Sequence, residues 1–90
     1  MTSDEAFYTQ LARGPLSERV QAARSGHPEI LTFLATDEHP AVRQTVAENP
    51  STPPETLALL ATDEELMVRR AVLKNPSCPG YAKFLVDLES

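Results

Sequence analysis

The sequence predicts an all-α fold, a short α-solenoid, and three observations lead to it. Shifted by 26 residues, residues 63–88 match residues 37–62 at ten positions, and residues 11–36 match residues 37–62 at eight. Apolar residues recur at three- and four-residue spacing, which is typical of helices. Proline and glycine divide the chain into short pieces. A fixed period of this length indicates stacked units that bury their apolar faces against one another.

The apolar spacing predicts seven short helices, at roughly residues 4–13, 16–25, 28–36, 40–48, 53–62, 64–74 and 79–88. Helices this short do not persist alone in water, so stacking must stabilise them. The sequence therefore predicts a single repeat domain spanning residues 1–90, with residues 1–13 as an N-terminal capping helix. Three repeats follow it, at residues 14–36, 37–62 and 63–90.

Helix ends are predicted from the Asn-Pro pairs that begin at Asn49 and Asn75, because the residue before proline is pushed out of the α region. In the first repeat the same slot holds Ala23 and Arg24, so the chain must turn by another route there, through residues 25–26.

Helix starts are predicted from capping residues. Thr52, followed by two prolines and by Glu55, fits a capping box. Asp63 is expected to cap the next helix, with Glu64 and Glu65 in its first turn.

The repeated apolar pairs predict the packing face. Val46 and Val72 align across repeats, and we expect Val20 to fill the same slot in the first repeat. In the N-terminal helix, Phe7 and Leu11 form the predicted stripe.

Composition and charge limit the function. The formal net charge of −5 disfavours nucleic acid, whose binding depends on Lys and Arg contacts. No apolar run approaches the roughly 20 residues that a membrane span needs, and the acidic N-terminal segment is unlike a secretory signal. A lone cysteine, Cys78, fits a reducing compartment, so we expect a cytoplasmic protein without a membrane partner.

Two segments carry a resemblance to a known family. Residues 42–53 read VRQTVAENPSTP, and residues 68–79 read VRRAVLKNPSCP. This pattern, with Asp37 and Asp63 ahead of it, resembles the leucine-rich repeat variant family. The resemblance implies a right-handed, HEAT-like solenoid in which each repeat has two α-helices or an α-helix and a 3₁₀-helix. The family's first described member also carries an iron–sulfur cluster, but Cys78 alone cannot supply four thiolates, so no cofactor is expected.

Arg43 and Arg69 repeat in register and allow two interpretations. In the first, their guanidiniums pair with Asp37 and Asp63 or with helix-end carbonyls, as a structural ladder between repeats. In the second, they belong to a stripe for an anionic partner. The candidate partner-binding residues are Arg24, Arg43, Arg69, Arg70, Lys74 and Leu73.

The sequence predicts a protein–protein interaction module or scaffold that is not an enzyme. No nucleophile, acid–base pair, metal-ligand spacing or phosphate-binding loop is found in it. Leu73, Tyr81 and Phe84 could leave apolar surface for a partner protein or for self-association through a solenoid end. The alternative is a nucleic-acid-binding helical repeat that uses the Arg/Lys stripe.

Overall fold

A computed structural model describes the backbone of residues 3–89 and the side chains of residues 3–86, and the regular structure in that range is α-helical. The helices are α1 (Ser3–Leu11), α2 (Leu16–Ala22), α3 (Pro28–Leu34), α4 (Pro40–Glu48), α5 (Pro54–Leu60), α6 (Leu66–Lys74) and α7 (Gly80–Glu89). Each lies within a predicted segment to within a few residues. Both helices of each repeat are α, which decides between the two forms that the resemblance left open.

The helices form two rows. Helices α2, α4 and α6 pack side by side in the first row, and α3, α5 and α7 lie against it in the second. Helix α1 packs on α2 at the N-terminal end of the stack. The resulting body is elongated, with extents of 39 × 21 × 15 Å, as expected of a short α-solenoid.

A single apolar core runs along the stack between the two rows. Its largest fully buried members are leucines and valines that recur by repeat: Leu31, Leu34, Leu57, Leu60, Val42, Val46, Val68, Val72 and Val86. The predicted N-terminal stripe is wrong at Phe7, which is 50% exposed, while its neighbour Tyr8 packs against the core.

The first repeat follows a different register from the one predicted. Val20 is only partly buried, and the place of the fully buried Val46 is taken by Ala22, also fully buried. Similarly, Ser25 occupies the place of Asn49. The side-chain oxygen of each accepts a hydrogen bond from the backbone N–H of the residue two positions later in the chain. In α2 the offset to the second repeat is therefore 24 residues, because the stretch from Ser25 to the start of α3 is two residues shorter than the equivalent stretch from Asn49 to the start of α5.

The predicted helix ends are confirmed, whereas two predicted helix starts are wrong. Asn49 and Asn75 are the C-caps of α4 and α6, both in extended conformation. Thr52 makes no capping box, because its hydroxyl turns inward and donates to the carbonyl of Val46 at 2.7 Å. Asp63 lies too far ahead of α6 to be its N-cap, and its carboxylate instead accepts from the N–H of Glu65 at 2.9 Å.

Candidate interaction surface

An arginine–aspartate pair joins the second repeat to the third. Arg43 donates through Nε and Nη2 to the two carboxylate oxygens of Asp63, at 2.7 and 3.1 Å. Its Nη1 donates to the backbone carbonyl of Asp37 at 2.8 Å. The side chains of Arg43 and Asp63 are each only 9% exposed, so this bidentate ion pair is shielded from solvent.

Arg19 makes the equivalent pair between the first and second repeats. Its Nε donates to the Asp37 carboxylate at 2.9 Å, and its Nη1 donates to the carbonyl of Gly14 at 3.1 Å. The sequence comparison missed Arg19 because the 26-residue shift aligns it with Thr45. The hydrogen bonds show that Arg19 and Arg43 are equivalent, 24 residues apart.

The third arginine has no carboxylate partner among the described side chains, which end at Val86. Nη1 of Arg69 donates to the carbonyl of Asp63 at 2.7 Å, as Arg43 does to Asp37. However, Nε of Arg69 is buried without a hydrogen-bond partner among the described residues. Within the part of the chain whose side chains are described, the ladder of arginines therefore ends at the Nε of Arg69.

The arginine ladder supports the structural interpretation of Arg43. The hydrogen bond to Asp63 raises the pKa of the Arg43 guanidinium, with nearby carboxylates adding to the effect and desolvation by burial opposing it. Because Arg43 is 8% exposed and fully engaged, it contributes to the joint between repeats rather than to the open surface.

Asparagines form a second ladder that runs in the opposite direction. Nδ2 of Asn49 donates to the carbonyls of Ala23 and Ser25, at 3.0 and 2.7 Å. Nδ2 of Asn75 donates in the same way to the carbonyls of Ala47 and Asn49, at 2.7 and 2.8 Å. Each buried amide thus satisfies two carbonyls at the end of the preceding repeat, which the sequence predicted only as local bonding.

The other predicted contact residues lie on the surface. Arg24, Arg70 and Lys74 are exposed, and Leu73 is 37% exposed. Arg70 and Lys74 line a shallow groove between α4 and α6, together with Glu48. Arg24 lines a separate groove, again with Glu48.

Exposed apolar side chains are concentrated in the last two helices. Among the described residues, five of the nine large apolar side chains that face solvent lie on α6 and α7: Leu66, Met67, Leu73, Tyr81 and Phe84. Phe84 and Tyr81 are the most exposed of these, at 64% and 58%. The sequence had identified three of the five as candidate apolar surface.

The net charge of the last two helices also differs from that of the rest of the chain. Residues 66–89, which span the last two helices, contain four Lys or Arg residues and two Asp or Glu residues, whereas residues 3–65 contain eleven acidic and four basic residues. The last two helices therefore combine an apolar surface with a small net positive charge, although the chain as a whole is acidic.

Comparison with known proteins adds one finding. The family model described as Leucine rich repeat variant matches residues 40–65. This segment spans α4 and α5 and contains Arg43, Asn49 and Asp63, which provide both ladders. Residues 40–65 are therefore similar to one leucine rich repeat variant unit. No curated protein and no solved structure matches it.

Within the described residues, no group of three or more His, Cys, Asp or Glu side chains is placed to hold a metal ion. No helix there is long and apolar enough to cross a membrane. Burial raises the pKa of the Cys78 thiol, and Lys83 only partly opposes this shift, so the helix start does not activate the thiol.

Proposed function

We propose that this chain is a non-catalytic protein-binding module, and that α6 and α7 carry its binding surface. The concentration of exposed large apolar side chains on these two helices supports the proposal most directly. Soluble proteins rarely leave such side chains in contiguous patches unless another molecule covers them. The net positive charge of residues 66–89, with four basic and two acidic residues, adds a preference for an acidic partner.

The two ladders supply the rigidity that such a module needs. Buried hydrogen bonds at each junction fix neighbouring repeats relative to one another, so α6 and α7 are presented in one arrangement. A rigid surface loses less conformational entropy when a partner binds.

A nucleic-acid partner fits the same surface less well. Arg19 and Arg43 are engaged in the ladder, and Glu48 shares one groove with Arg24, which follows α2, and another with Arg70 and Lys74 of α6. A basic stripe along the stack is therefore interrupted. A salt-dependent gel shift tests this alternative, because phosphate binding weakens steeply as salt rises.

Matched variants test the proposed surface. Leu73→Glu and Leu16→Glu each place a carboxylate on a first-row helix at a leucine that is 37% exposed. We expect Leu73→Glu, but not Leu16→Glu, to abolish binding to a protein captured with the intact chain and then purified. Isothermal titration calorimetry gives the dissociation constants, and thermal melting verifies that both variants remain folded.

A second pair of variants examines α7. Phe84→Ser and Phe33→Ser alter second-row phenylalanines that are 64% and 60% exposed. Binding should weaken only for Phe84→Ser. Equal losses for the two members of either pair, or no partner protein at all, would contradict the proposal.

A further inference from the structure

One exposed position, at or just after the C-terminal end of each first-row helix, carries a charge whose sign alternates along the stack. The position lies five residues after each arginine of the ladder, so Arg24, Glu48 and Lys74 are equivalent. All three side chains are exposed. They are called the charge row below, and their signs are positive, negative and positive from the first repeat to the third.

The asparagine ladder holds the charge row in place. Nδ2 of Asn49 donates to the two backbone carbonyls on either side of Arg24. Nδ2 of Asn75 donates to the two backbone carbonyls on either side of Glu48. Each asparagine directly follows the next charge of the row in the chain. These bonds therefore tie the backbone at one charge to the backbone at the next, which fixes the spacing of the row.

Shallow grooves join consecutive members of the row. Arg24 and Glu48 line one groove at the junction of the first two repeats. Glu48 and Lys74 line another groove between α4 and α6, to which Met67 adds an apolar side chain and Gln44 an amide. The charge row therefore follows open surface from the first repeat to the third.

The distance between neighbouring charges fits a peptide in polyproline II conformation. Packed helices lie about 8–10 Å apart, so each step of the charge row has about that length. A polyproline II helix has about three residues per turn and rises about 3.1 Å per residue, so its residues i, i+3 and i+6 lie on one face, about 9 Å apart. A β-strand fits less well, because residues three apart in it point to opposite faces.

The alternating signs select against a uniformly charged partner. A nucleic acid or a wholly acidic segment along the row would bring negative charge against Glu48, and like charges across an interface are unfavourable. A segment whose charges alternate in the opposite sense meets an opposite charge at each step. The charge row therefore favours a peptide of mixed charge.

We propose that the charge row binds an extended segment of another protein, in polyproline II conformation, with an acidic residue, a basic residue three positions later and an acidic residue three positions after that. The two acidic residues pair with Arg24 and Lys74, and the basic residue pairs with Glu48. Arg70 lines the same groove as Lys74 and adds to the preference for an acidic residue there. This site lies on the solvent face of the first row and goes beyond the apolar surface proposed above.

The probe is the synthetic peptide Glu-Pro-Pro-Lys-Pro-Pro-Glu with blocked termini, whose prolines favour the polyproline II conformation. Titrated at low salt into the isotope-labelled intact chain, it should shift the backbone amide resonances at Arg24, Glu48 and Lys74. Each exposed ion pair contributes little, so the peptide is compared with Glu-Pro-Pro-Glu-Pro-Pro-Glu, and the first should bind about fivefold more tightly. Salt of about 0.5 M should weaken its binding.

Matched substitutions show whether Glu48 selects the central residue of the peptide. Glu48→Lys should reverse the preference, so that Glu-Pro-Pro-Glu-Pro-Pro-Glu binds more tightly. Glu38→Lys makes the same change of charge at another exposed glutamate, outside the row, and should retain the wild-type preference. Phe84→Ser should retain it as well, because α7 does not line either groove. Thermal melting verifies that the variants remain folded.

The charge row would be ruled out as a binding site by an absence of amide shifts at millimolar peptide, or by shifts confined to other surfaces. The same change of preference in Glu48→Lys and Glu38→Lys would also rule it out, since net charge alone would then explain the effect. Tighter binding of Glu-Pro-Pro-Pro-Lys-Pro-Pro-Pro-Glu would overturn the three-residue spacing. Phe84→Ser tests the apolar surface of α7 separately, so failure of either proposal leaves the other unaffected.

Discussion

The second and third repeats have nearly the same residues at their joints, but in different environments. Arg43 donates both to the Asp37 carbonyl and to the Asp63 carboxylate, whereas among the side chains described, those of residues 3–86, Arg69 donates only to the carbonyl of Asp63. Ala47 is fully buried, whereas its equivalent Leu73 is 37% exposed. The comparison teaches that a repeated arginine is structural where a neighbour supplies its carboxylate.

The largest expected difference concerns the arginines. Arg43→Ala should lower the free energy of unfolding by about 3–5 kcal/mol, because it leaves the buried Asp63 carboxylate without its partner. Arg69→Ala should cost less than about 1 kcal/mol, since the lost bond to Asp63 is offset by removal of an unsatisfied buried donor. Urea unfolding measures both values. Similar losses would break the comparison between the repeats.

The asparagines should behave alike in both repeats. Asn49→Ala and Asn75→Ala each remove three hydrogen bonds, so each should cost about 2–4 kcal/mol in urea unfolding. Asn49→Ser is the matched control, because Ser25 fills this place in the first repeat and keeps only the acceptor role. It should recover a minor part of the loss. A much smaller cost at Asn75 would show that the asparagine ladder also weakens toward the C-terminal end.

The smallest effects on stability are expected at two equivalent positions of α4 and α6, Ala47 and Leu73. Ala47→Leu should destabilise the chain by about 1–3 kcal/mol, because the added atoms must fit between α4 and α6. Leu73→Ala should change stability by less than about 1 kcal/mol, since this side chain is partly in solvent. Thermal melting in parallel compares the two. A larger loss for Leu73→Ala would mean that Leu73 completes the core rather than presenting a surface.

Much of the fold could be predicted because it depends on local chemistry. Helix ends at Asn49 and Asn75 follow from the restriction that proline imposes on the preceding residue. The apolar period placed all seven helices to within a few residues. The capping predictions failed at Thr52 because its hydroxyl has a buried carbonyl to bind instead of the helix start.

Register was harder to predict because it depends on how many residues separate equivalent positions. Identity between Val20 and Val46 favoured a uniform 26-residue shift, yet the stretch from Ser25 to α3 is two residues shorter than the stretch from Asn49 to α5, which moves the register of α2 by two residues. This error concealed the equivalence of Arg19 and Arg43. The pairing partner of Arg43 is also set by packing, since Asp37 offers its carbonyl and Asp63 its carboxylate.

The two ladders give the array a direction. Each arginine reaches forward to the next repeat, and each asparagine reaches back to the previous one. The 26-residue block that begins at Asp37 contains one arginine, one aspartate and one asparagine of this set. A tandem copy of that block would therefore bring every group that its two new junctions require. The array can thus be lengthened one block at a time. The number of repeats then changes while the chemistry of each junction stays the same.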